Sequence, residues 1–120
     1  MIFEEIFRPL IERADEALAC LLMGFDGLKV AAAAKPGVAF DLELMGAEAA
    51  AIVGQLGRAS FAEQFGRTEE VVFRSAKTSI LLRAVSPEYF VVLVLRPDAP
   101  VGKGRFLLSL IEPALARELG

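Results

Sequence analysis

The chain has 120 residues, enough for one compact domain with its own core and too few for two ordinary ones, so a single domain over residues 1 to 120 is expected. Apolar residues make up 55% and charged residues 24%, which excludes a disordered polymer and leaves more apolar surface than a small monomer readily hides. A balance of 13 basic against 16 acidic residues, net charge -3, excludes the basic stripe that nucleic-acid binding needs.

Residues 2 to 14 space Phe3, Ile6, Phe7, Leu10 and Ala14 as one face of an amphipathic helix, with Pro9 either starting its regular part or bending it. The opening from Met1 to Arg8 has neither the basic start nor the unbroken apolar stretch of a secretory signal, and Glu48 and Arg58 interrupt the longest apolar stretches below membrane-span length. A cytoplasmic chain without membrane insertion is expected. From Ala17 to Ala33 two apolar runs flank Asp26-Gly27, a dipeptide suited to the positive φ of a tight hairpin turn, and Lys35-Pro36-Gly37 forms the next loop.

Asp41 is placed to cap a long helix from Leu42 to Phe65, with Phe40 and Met45 as a hydrophobic staple and Gly66 as its C-terminal stop. Three strands follow over residues 69 to 75, 78 to 85 and 88 to 97, with a turn at Ser86-Pro87-Glu88. The uninterrupted run Tyr89 to Leu95 suits a central strand, and the more polar Glu70 to Ser75 suits an edge. A last helix is predicted from Gly104 to Leu119, with Pro113 on its polar side. The order α-β-β-α-β-β-β-α predicts an α+β three-layer sandwich with helices on both faces of one antiparallel sheet.

The residues offer little chemistry. Histidine is absent, and the one cysteine, Cys20, sits in an apolar strand, so no zinc site or activated nucleophile is expected. No serine lies in a G-x-S-x-G motif, and Glu4-Glu5 and Glu69-Glu70 read as solvated surface. The stretch "VGKGR", residues 101 to 105, lacks the spacing and the Ser/Thr of a Walker loop and reads as a flexible loop starting a helix, in preference to a phosphate cradle. Arg58, Arg67 and Arg74 read as surface arginines before they read as an arginine finger. No catalytic residue, cofactor or metal is therefore expected.

Projected at about 100° per residue, the long helix sorts into sectors. Leu42, Met45, Ala49, Ile52, Val53 and Leu56 form a broad arc expected against the sheet; beside it Gly46, Ala50, Gly54 and Gly57 form a stripe of small residues, and Glu48, Gln55 and Arg58 a narrow polar sector. Each helical glycine costs about 1 kcal/mol relative to alanine, so the stripe asks for a use. Its two readings are a seam for a second helix, preferably the same helix of another copy about a two-fold axis, and close approach to the chain's own sheet.

The hairpin "ALACLLMGFDGLKVAA", the capped small-residue helix and "YFVVLVL" before a final helix resemble the Roadblock/dynein light chain family, and within it the single-domain bacterial MglB-like members. The resemblance implies a five-stranded antiparallel sheet with the long helix on one face and the terminal helices on the other. It implies a homodimer with the long helices side by side and the third strands paired, which places Gly46, Ala50, Gly54, Gly57, Val71 and Phe73 in the dimer interface. It also implies a non-catalytic regulator or scaffold that binds a Ras-like small GTPase of the MglA type over the paired helices, with Glu48, Gln55, Arg58 and Glu63 as the partner-binding rim. GTP hydrolysis would be promoted by reorganising the GTPase's own residues. A structural adaptor without effect on nucleotide turnover, and a small-molecule sensor domain, are the alternatives.

Overall fold

The computed structural model describes residues 2–58 and 60–120; Met1, which precedes the predicted first helix, and Ala59, which falls in the predicted long helix, lie outside the described residues. Helix α1 (Ile2–Arg13) leads into the hairpin of β1 (Ala17–Gly24) and β2 (Lys29–Ala34). Helices α2 (Leu42–Arg58) and α3 (Ser60–Phe65) precede the meander β3 (Glu70–Arg74), β4 (Ser79–Ala84) and β5 (Tyr89–Leu95), and α4 (Val101–Leu119) ends the fold. The predicted long helix thus corresponds to α2 and α3 on either side of Ala59.

The five strands form one antiparallel sheet in the order β2-β1-β5-β4-β3. Its centre is β5, whose seven residues carry no polar side chain but the Tyr89 hydroxyl, and its edges are β2 and β3. Strand alternation divides the core in two. Cys20 and Leu22 of β1 and Leu93 of β5 meet Phe7, Leu10, Leu108 and Leu115 of α1 and α4 on one face. Leu21, Met23, Phe90 and Val92 meet Ala49, Ala50 and Val53 of α2 on the other. The three-layer sandwich expected from the sequence is the observed one.

Local signals explain the boundaries. Gly27 has φ 89°, and Asp26 Oδ1 accepts from the Leu28 N–H at 3.1 Å, which fixes the hairpin turn. Asp41 Oδ1 accepts from the Leu44 N–H at 3.0 Å, an N-cap bond. Gly66, at φ 88°, donates its N–H to Ala62 O at 2.9 Å and closes α3. The C-terminal end of α1 is closed by a residue far along the chain: Lys35 Nζ donates to the carbonyls of Ile11 at 2.8 Å, Ala14 at 2.6 Å and Ala17. A cation there faces carbonyl oxygens at the negative end of the helix and in the link to β1.

The expected start of helix α4 needs correction. The helix begins at Val101, ahead of the expected start at Gly104, so "VGKGR" lies inside the helix. The N–H groups of Lys103 and Gly104 already turn back to Pro100 O, at 3.0 and 3.5 Å, and are not presented as a phosphate cradle. Gly104 serves packing: a Cβ there would stand 2.8 Å from Leu95 Cδ1 and 3.2 Å from Leu81 Cδ2, so its absence lets α4 lie close to the sheet.

Candidate functional site

Helix α2 packs over β1 and β2, and its buried residues are Gly46, Ala49, Ala50 and Val53. This bears out part of the predicted sector assignment and corrects the rest: Ala49 and Val53 are buried, with Leu42 and Met45 packed against the same core, but Gly46 and Ala50 of the small stripe join them. A Cβ on Gly46 would stand 2.5 Å from Leu21 Cδ2 and 2.7 Å from Met23 Cε, so Gly46 and the neighbouring buried Ala50 face the sheet of their own chain and are closed to a second helix. Ile52, expected against the sheet, is instead 45% exposed. The helix sits low over Leu21 and Met23, which its glycine allows, and Leu44 and Ile52 are left facing outward. Gly54 is half-buried and Gly57 is exposed.

The placement of α2 leaves the same face of β3 and outer β4 without a helix. Phe73 and Ile80 are register partners, as are Val71 and Leu82, and Val71, Phe73 and Ile80 remain only half-buried. Phe73 and Ile80 line a groove of about 320 Å³ with Met45, Glu48, Ala49 and Ile52. A second groove, of about 330 Å³, shares Met45, Glu48 and Ile80 with it and continues past Leu44 to Phe40. Leu44, Glu48 and Ile52, at four-residue spacing, therefore form a wall beside a bare strip of sheet. With Phe61 at 49% and Phe65 at 72% exposure on α3, this side carries a concentration of unburied large apolar side chains.

The predicted rim residues Glu48, Gln55, Arg58 and Glu63 are all exposed on α2 and α3. Arg58, Arg67 and Arg74, also exposed, stand on three separate segments: the end of α2, the loop before β3 and the end of β3. Cys20 is fully buried, and burial pushes its thiol pKa well above the ordinary range, so it supplies no thiolate. Among the described residues no group of three or more Cys, Asp or Glu side chains is arranged to hold a metal ion, and no helix is long and apolar enough to cross a membrane.

One polar cluster departs from the expectation of a solvated Glu69-Glu70 pair. Glu70 accepts from Arg83 Nη2 at 2.6 Å and from Arg105 Nε at 2.9 Å, and Arg83 Nη1 donates onward to Glu112 Oε1 at 2.6 Å. The hydrogen bond from Arg105 leads the effects that hold the Glu70 carboxyl below the usual carboxylate range. Bonded partners here lie 13 to 35 positions apart along the chain, beyond any local pattern; the network ties β3 and β4 to α4 and fixes the edge strand beside the bare strip.

No protein-family model and no curated protein matches the chain. Solved structures do. The chain is 35% identical to MglC from Myxococcus xanthus, over 98% of its own length and 99% of that chain, with a TM-score of 0.68. It is 19% identical to the gliding protein MglB from Thermus thermophilus, over 94% of this chain and 84% of that one, with a TM-score of 0.79. A Roadblock/LC7 domain from Streptomyces avermitilis is 17% identical over 97% of this chain and 96% of that one, with a TM-score of 0.79. The 35% identity to MglC over nearly the whole of both chains, with the shared fold, establishes that the chain belongs to the Roadblock/LC7 family, on its MglB-like side.

Proposed function

We propose that the chain is a non-catalytic homodimeric regulator that binds a Ras-like small GTPase of the MglA type across a platform made by two α2 helices. The observation that carries this reading is the bare apolar strip of Val71, Phe73 and Ile80 beside the outward-facing Ile52 and Leu44. A second α2 laid beside the first would cover the strip, and a second β3 along the open edge would continue the sheet; both steps bury surface that is otherwise wet. The seam in this arrangement is aliphatic and aromatic, with Gly54 and Gly57 at its approach, while Gly46 and Ala50 support it from beneath. Gln55, Arg58 and Glu63 stand on the outer surface, where charge selects a partner, and Glu48 stands at the margin of the covered groove.

The residues give the chain no nucleophile or base of its own in this role. It acts by binding one conformation of the GTPase more tightly than others, which raises the population competent to hydrolyse GTP. Single-turnover GTP hydrolysis by an MglA-type GTPase, with and without the chain, is the test. A rate increase that saturates with added chain and is lost in Ile52→Glu supports the proposal; binding with no change in rate favours the adaptor reading, and no binding rejects the GTPase as partner.

A further inference from the structure

The opposite side of the sheet carries a second built surface. Because β1 begins where β5 ends, with Ala17 opposite Leu95 and the Arg96 N–H bonded to Glu16 O at 2.9 Å, α1 arrives at the end of the sheet from which α4 departs. The two helices are thus antiparallel, and a groove of about 340 Å³ runs between them. Its walls repeat at three- and seven-residue offsets: Ile6, Pro9 and Arg13 from α1, and Lys103 and Leu110 from α4, above the buried Leu10 and Leu107. Leu110 is 61% exposed, and Phe106, one turn before it, is 55% exposed beneath Lys103 Nζ at 5.8 Å from the ring centroid.

Charge is confined to one end. Arg13 and Lys103 stand together where α1 ends and α4 begins, no carboxylate lines the groove, and neither cation makes an ion pair among the described residues. From Ile6 to Arg13 the wall is about 10 Å long at 1.5 Å per residue, about two helical turns. An apolar trough between two antiparallel helices, closed at one end by two unpaired cations on a chain of net charge -3, matches one occupant by shape and charge: an amphipathic helix with acidic residues in its last turn, whose negative dipole end also faces the cations.

We infer that the α1–α4 groove is a docking site for such an acidic-ended amphipathic helix of a partner protein, on the side of the sheet opposite the α2 platform. The chain then holds two partners at once. The platform and the groove share no residue, so failure of one reading leaves the other standing.

The probe is a synthetic three-turn amphipathic peptide with leucines at helical spacing and glutamates in its last turn, titrated into the intact isotope-labelled chain and followed by amide chemical shifts. Saturable shifts confined to 6–14 and 103–111, with affinity falling about tenfold or more in Leu110→Glu and in Lys103→Glu, are expected. A peptide ending in lysines binds the wild type weakly and regains affinity for Arg13→Glu/Lys103→Glu. The inference is overturned by absence of saturable binding, by shifts confined to α2 and β3, or by equal affinity for both peptides. It is also overturned if Leu110→Glu lowers the sedimentation coefficient of the chain alone, because the groove then belongs to a second copy.

Discussion

Gly46 shows how a single missing side chain sets the height of a helix. Its would-be Cβ meets side chains from β1 inside 3 Å, so Gly46→Val overpacks the core. We expect a loss of about 1 to 3 kcal/mol in urea unfolding of a variant held monomeric by Ile52→Glu. An unchanged midpoint in that background would place the glycine outside the core. Lys35 works at long range in sequence: Lys35→Met removes its contacts to the carbonyls of Ile11, Ala14 and Ala17, where α1 passes into β1, and should cost about 1 to 2 kcal/mol in the same assay. Cys20 should stay unlabelled by a thiol reagent under native conditions and react at once on unfolding, because burial suppresses both access and ionisation. Glu70 gives a pH signature. Its carboxyl is held below the ordinary range in the folded chain, so it adds stability at pH values above the unfolded-state pKa of about 4.3, and this is lost as pH falls through the lower folded-state value. Glu70→Gln should cost about 1 kcal/mol near neutrality, with the difference from wild type closing below about pH 4.

Helices and strands are legible in the sequence wherever the cause is local. The Asp26-Gly27 turn, the Asp41 cap, the Gly66 stop and the apolar run of β5 each act within a few residues, and each appears where the sequence places it. What is not legible depends on the height and roll of an element over its neighbours. Periodicity identifies α2 as a helix and puts Ala49 and Val53 on its buried side, but the small and large stripes are adjacent, and spacing alone does not say that the buried sector takes in Gly46 and Ala50 and leaves out Ile52. Steric depth decides, and Gly46 over Leu21 and Met23 supplies it. The same reason hides the bare strip of β3 and β4. Val71, Phe73 and Ile80 alternate as in any half-buried strand, and only the position of α2 over β1 and β2 leaves them uncovered. The helical start at Val101 is hidden by the two glycines in its first turn, which favour a loop; Pro100 beside the helix start is the local signal that marks it.

At the scale of the molecule, the two faces of one sheet are unequally covered. The α1–α4 face carries two helices that leave a narrow groove; the α2 face carries one long helix, which cannot span five strands and leaves its outer edge wet. In the assembly proposed above, a two-fold copy covers the exposed aliphatic and aromatic side chains beside that edge. The most direct test is sedimentation velocity of the chain alone and mixed with an MglA-type GTPase held in its GTP state. The expected result is a dimer that takes up one GTPase per two chains, and a monomer without bound GTPase for Ile52→Glu. A wild-type monomer, or a dimer and complex unchanged by Ile52→Glu, would contradict it.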